Sequence, residues 1–396
     1  MAQPQPRGRV RDVLPGLRLG KWPTGALNSI TDVPDVLVST ESIRTDSDIN
    51  TGVTTILPRS DWADFSSFAG VFSFNGCGEM TGTHWIHETG LLTSPVVLTG
   101  TAAIGDGYRG VLEYCVRHHS NPDDGEMTLF IFPCVAETFD GFLSNQARFP
   151  VTPQHVERGI RAATADRVPE GNTGGGTGMI CHRFKGGTGS SSRRVAGFDV
   201  DDRPATYTVG VLVQANYGSP ENLHVGGIPV GAILKEQNAA AASIKEAPGS
   251  AAEARKDGSI IIVIATDAPL LPVQLQRLAR RATVGLGKVG GYGSNTSGDI
   301  FLAFSTANKI PVQSFNLGGG SSGEAPPAKT PLTPAPQAVQ MTDNDTITGL
   351  FEAVADATEE TILNSMFMAE SMTGFKGRHV DALDLERVKE IVNKRL

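Results

Sequence analysis

The chain has 396 residues, enough for one large α/β unit or two to three smaller domains with a sizeable core. Its 34 Lys and Arg against 42 Asp and Glu leave a formal charge of −8 with no basic stripe, which argues against nucleic acid and anionic membranes as partners. The 46 glycines and 24 prolines mark many turns without low complexity; no apolar run approaches the ~18 residues of a membrane span or forms a signal-peptide core, so a cytoplasmic protein is expected. Cys77, Cys115, Cys134 and Cys181 are widely spaced with no CxxC, a pattern of reduced thiols rather than of a zinc site or a disulfide framework.

In chain order, β-rich runs at Val53–Leu57, Gly70–Phe74, Ser94–Thr99 and Thr128–Phe132 alternate with Gly-rich turns, and a helix is predicted near Ala103–His118. The glycines of 167–192 let the backbone approach something closely. Tyr207–Ala215 is nearly continuously apolar, as in a strand buried on both faces. Residues 235–259 are rich in Ala, Lys and Glu, and we expect an exposed loop there. It leads into Ser259–Thr266 (SIIIVIAT), the most hydrophobic short run and a predicted central strand. A helix over Pro272–Val284 follows. Residues 317–340, with five prolines and four glycines, are predicted to be a flexible insertion. Helical segments at Asp343–Ser371 and Ala382–Arg395 close the chain.

The usual catalytic frames are missing. GGGTG at 174–178 fits neither a dinucleotide fingerprint nor a P-loop, no His sits in H-E-x-x-H, and no G-x-S-x-G sits in a strand–turn–helix frame. A Gly-Ser pair in the polar loop, Gly249–Ser250, offers a different chemistry. Cleaving that bond would give Ser250 both a hydroxyl and an α-amino group of reference pKa ~7.7–8.0, a nucleophile and base in one residue. The residues alone also allow an ordinary loop serine.

Six segments in order carry a resemblance. GKWPTGALNSITDV (20–33), FNGCGEMTGTHWIHETG (74–90), VAETFDGFL (135–143), GNTGGGTGMICHRFKGGTGSSSR (171–193), VGVLVQANYG (209–218) and SGDIFLAFSTAN (297–308) together resemble the L-aminopeptidase/D-esterase (DmpA) and β-aminopeptidase (BapA) family of self-cleaving N-terminal-nucleophile hydrolases. The resemblance implies a single α/β domain, a four-layer α-β-β-α sandwich of the DmpA type, cut at Gly249–Ser250 into an α chain 1–249 and a β chain 250–396. It implies Ser250 as nucleophile, Asn216 as oxyanion donor, Ser297 and Asp299 as assistants to the nucleophile, and Glu137 as receiver of the substrate's free ammonium. Where the family's aminopeptidases usually place a tyrosine facing the reacting carbonyl, this chain has Phe139, so one donor is lost. The implied activity is release of N-terminal α- or β-amino acid residues from a small peptide or amide through a seryl acyl-enzyme, with no metal or organic cofactor, in a homo-oligomer (a tetramer of heterodimers). An acyl-transferring or ring-forming enzyme and a non-catalytic binding relative remain the alternatives.

Overall fold

The computed structural model describes residues 7–127, 129–242, 258–312 and 334–396. Gly249, Ser250 and residues 317–333 of the Pro/Gly-rich segment fall outside the described residues. The strands, in chain order, are β1 (Leu37–Thr45), β2 (Ile49–Leu57), β3 (Phe65–Gly76), β4 (Leu91–Leu92), β5 (Val96–Gly100), β6 (Cys134–Thr138), the short hairpin β7 (Ile180–Cys181) and β8 (Phe184–Lys185), then β9 (Gly187–Phe198), β10 (Pro204–Asn216), β11 (Ser259–Thr266), β12 (Gly298–Pro311), β13 (Met372–Thr373) and β14 (His379–Val380). The helices are α1 (Val10–Val13), α2 (Thr83–Thr89), α3 (Ile104–His118), α4 (Pro153–Ala162), α5 (Val230–Ala242), α6 (Pro272–Val289), α7 (Thr348–Phe367) and α8 (Leu385–Asn393).

Two sheets stack face to face between helices. One has the order β1-β2-β5-β6, the other β4-β3-β12-β11-β10-β9. Alternation along each strand sends successive side chains into different layers. Val53, Val97 and Val135 pack outward on Val111 of α3 and on Val156 and Ile160 of α4. Their neighbours Ile56, Leu98 and Ala136 pack inward on Leu212, Val263 and Leu302 of the second sheet. The far face of that sheet, with Val211, Ile262 and Phe301, buries Leu275 and Leu278 of α6 and Leu363 and Phe367 of α7. This is the α-β-β-α sandwich. β11 lies inside, antiparallel to β10 and parallel to β12, so SIIIVIAT is buried along its whole length as its composition requires. No described helix is long and apolar enough to cross a membrane.

Three local expectations change. The run ending at Phe132 is not a strand: Phe130 and Phe132 pack their rings on Trp85 at 5.4 Å, and the chain enters the sheet only at Cys134, pairing in parallel with β5. Residues 235–242 are the last turns of α5 rather than loop, because Ala, Lys, Glu and Gln are strong helix formers. At the other end of that segment, Ser259 is a buried strand residue. The helix after β11 runs on to Val289, where Gly290 with φ +97° supplies the left-handed stop.

Candidate active site

β10, β11 and β12 bring the predicted residues to one end of the larger sheet. The β10–β11 register sets Asn216 opposite Ser259, and the β11–β12 register sets Ile260 opposite Asp299. Ser259 is 6% exposed, and its Oγ accepts the Gly298 N–H at 3.1 Å. The residue before it must be small: a Cβ on Gly258 would lie 1.7 Å from Asn216 O and 3.0 Å from Asn216 Nδ2.

Gly298 is flanked by the two residues predicted to assist the nucleophile. Ser297 Oγ donates to Asp299 Oδ1 at 2.6 Å, and both residues are almost fully buried. The turn that carries them is pinned from β3: Asn75 Nδ2 donates to the Ser297 carbonyl and, at 2.8 Å, to that of Ser294, while Cys77 N–H donates to Ser297 O at 3.2 Å. A hydroxyl held by a carboxylate beside a second serine suits proton relay.

Asn216 ends β10 with its amide fixed at both ends. Ile180 N–H donates to Oδ1 at 2.8 Å, and Nδ2 donates to the Phe139 carbonyl at 3.0 Å. Two residues back on the same face, Gln214 Nε2 reaches Thr99 O and Thr138 Oγ1, both at 2.9 Å, so β10 is bolted to β5 and β6 of the other sheet. An amide fixed before charge develops is what oxyanion stabilisation needs.

Glu137 approaches from the four-stranded sheet. Its Oε1 accepts Glu79 N–H at 3.2 Å and its Oε2 accepts the Thr101 hydroxyl. A Cβ on Gly78 would lie 3.4 Å from Glu137 Oε1 and 3.1 Å from Gly298 Cα, which puts this carboxyl across a glycine crossing from the serine cluster. Burial pushes its pKa up; the two hydrogen bonds oppose the shift, and the charges of Asp140 and Glu79 add to it. Phe139 stands two residues further on, at the start of the loop after β6. The residue is 46% exposed, its ring lies over Gly141, where an added Cβ would meet Cζ at 2.5 Å, and its backbone carbonyl accepts from Asn216. Asp140 anchors that loop, accepting Thr51 Oγ1 at 2.5 Å and Gln146 Nε2 at 2.7 Å, and burial raises its pKa too.

Asn216, Ser297, Asp299 and Glu137 therefore converge, whereas Gly249 and Ser250 lie outside the described residues. Ser259 occupies the centre of the cluster, a position that the motifs of the sequence do not single out. The available signal was Gly258–Ser259, a second Gly-Ser pair within the polar stretch 235–259, directly abutting the most apolar strand of the chain.

Residues 28–380 match peptidase family S58. The chain is 41% identical over 387 residues to the β-peptidyl aminopeptidase BapA of Sphingosinicella microcystinivorans, covering 93% of this chain and 89% of that protein. Among solved structures it is similar to a Burkholderia sp. β-aminopeptidase, with TM-score 0.81, 38% identity, and 98% of this chain and 99% of the other covered. It is equally similar to the L-aminopeptidase D-Ala-esterase/amidase of Ochrobactrum anthropi, described as a prototype for the serine aminopeptidases and a variant of the Ntn hydrolase fold, with TM-score 0.80, 38% identity and 98% of each chain covered. With this match over most of its length and the same layered fold, the chain belongs to peptidase family S58 and is an aminopeptidase.

Proposed function

We propose that the protein is a self-processing aminopeptidase whose nucleophile is Ser259, exposed as a new N-terminus by cleavage of Gly258–Ser259. The observation that carries this is the placement of Ser259 Oγ on the Gly298 N–H, between Asn216 and the Ser297–Asp299 pair. In processing, Ser259 Oγ attacks the Gly258 carbonyl carbon, the Ser259 nitrogen leaves and takes up a proton, and water hydrolyses the resulting ester. The freed α-amine, of reference pKa ~7.7–8.0, then serves as general base for the hydroxyl, with Ser297 and Asp299 as the hydrogen-bonded route by which the proton moves.

A substrate's N-terminal ammonium pairs with Glu137, and its carbonyl oxygen takes negative charge beside the Asn216 amide. Ser259 forms the acyl-enzyme as the amine leaves, and water releases the amino acid. The names of the relatives support β-aminoacyl amides as a substrate class alongside α-aminoacyl ones. Self-assembly into an oligomer of cleaved chains follows the same family resemblance. Intact-mass and N-terminal analysis of the purified protein tests the assignment: we expect a fragment beginning at Ser259. A fragment beginning at Ser250 restores the other Gly-Ser bond as the processing site, and an uncut chain inert towards β-alanyl p-nitroanilide overturns the proposal.

A further inference from the structure

Lys185 sits in β8 with no exposed surface. No carboxylate among the described residues pairs with it; Nζ donates instead to two backbone carbonyls, Met179 O and Gly186 O, each at 2.8 Å. Burial, with the Arg44 charge adding to it, pushes this amine well below the ordinary lysine range. Either protonation form still carries the hydrogens for both bonds. Burying an amine without a counter-ion is costly, so the direction in which these hydrogens point matters.

The Met179 carbonyl belongs to the same peptide group as the Ile180 N–H, and that N–H donates to Asn216 Oδ1 at 2.8 Å. The register of the β7–β8 hairpin makes this possible, because Ile180 pairs with Lys185 and the side chain folds back across the turn. Gly186 N–H gives the Met179 oxygen a second donor at 3.0 Å. Each bond in the series runs donor to acceptor in one sense: Lys185 Nζ to Met179 O, Ile180 N to Asn216 Oδ1, Asn216 Nδ2 onward. A chain of amides polarised in one sense strengthens each later donor. One Nδ2 hydrogen is spent on Phe139 O at 3.0 Å, and the amide has a second.

We propose that Lys185 is a positioning residue that acts through the Met179–Ile180 peptide to hold and polarise the Asn216 amide, making it a stronger donor to the tetrahedral oxyanion. The inference rests on Asn216 being that donor, as in the proposed function.

The test is a double-mutant cycle with Lys185→Met and Asn216→Ala on β-alanyl p-nitroanilide, with Lys185→Gln replacing the methionine variant should that one fail to fold. We expect Lys185→Met to lower kcat by about tenfold with KM within about twofold, and to add no further loss in the Asn216→Ala background. A loss that multiplies with that of Asn216→Ala, or one that falls on KM, overturns the relay and leaves Lys185 a plug of the hairpin. A wild type without turnover would count against the proposed function instead. The relay is then read from the side-chain amide protons of Asn216 in 15N-asparagine-labelled protein, where Lys185→Met should move them upfield and an unchanged shift refutes it.

Discussion

The two sheets contribute to the site in different ways. On the six-stranded sheet, Asn216, Ser259 and Asp299 sit on three neighbouring strands whose ladders fix them to one another, and their side chains bond to backbone groups or, for Asp299, to the Ser297 hydroxyl over 2.6–3.1 Å. On the four-stranded sheet, Glu137 is the penultimate residue of β6, and the strand is followed at once by a loop that hangs from the buried carboxyl of Asp140 and leaves Phe139 half in solvent. Ladder pairing gives the precision that bond-making needs, where an error of 1 Å is expensive. A loop can change its side chains without disturbing the sheet. The larger sheet should therefore govern kcat, and the smaller sheet with its loop should govern which substrate is held.

The sharpest way to break that division is Ser259→Ala. It should leave the chain uncut and remove at least ~10⁴-fold of turnover, as loss of a serine nucleophile does elsewhere. Ser250→Ala should still process and turn over. Denaturing gels and initial rates on the two variants decide between the Gly-Ser bonds. Next in size, Asn216→Ala should cost ~10²–10³ in kcat, with little change in KM because the donor is needed only once charge develops on the carbonyl oxygen. A loss confined to KM would show that Asn216 binds the ground state.

Much of this was legible in the sequence, and the misses have physical causes. The apolar run Ser259–Thr266 could only be a central strand, and the six ordered motifs carried the four-layer fold and the positions of Asn216, Ser297, Asp299 and Glu137. What the sequence did not distinguish is which of two Gly-Ser pairs in a polar stretch meets those residues. That depends on register: only with Asn216 opposite Ser259 does Gly258 fall under the Asn216 carbonyl. The strand expected at Thr128–Phe132 failed because β propensity in an aromatic run reflects packing, and here the rings pack on Trp85. Lys185 escaped notice because its role depends on a carbonyl that neither composition nor spacing reveals.

On the smaller sheet the expected effects shrink and move to substrate binding. Burial raises the Glu137 pKa, and the ammonium of a substrate needs the ionised form, so kcat/KM should rise with pH through an acid limb lying above the ordinary glutamate range. Glu137→Gln should abolish that limb and lower kcat/KM by ~10–100-fold, the worth of a hydrogen bond to a charged group. Stability carries the opposite sign. A carboxyl whose folded pKa is raised penalises the folded state as pH rises from its ordinary pKa to the raised one, so the glutamine variant should be no less stable than wild type at neutral pH. A Tm below wild type at pH 7 would mean that the carboxylate is a structural anchor.

The smallest effect belongs to Phe139→Tyr, which restores the ring hydroxyl that the family resemblance leads one to expect. Were the ring aimed at the reacting carbonyl, the new donor could raise kcat by ~10²–10³. The ring instead lies over Gly141, in a residue that is 46% exposed, while the backbone carbonyl of the same residue holds Asn216. A hydroxyl added at Cζ would therefore lie beside Gly141, gaining no oxyanion. We expect stability within ~0.5 kcal/mol of wild type and kcat within about threefold. Stopped assays on β-alanyl and L-alanyl p-nitroanilides check this. A large gain on both would show that substrate binding swings the loop and its ring onto the reacting carbon, and the division of labour between the sheets would then have to be redrawn with Phe139 on the kcat side.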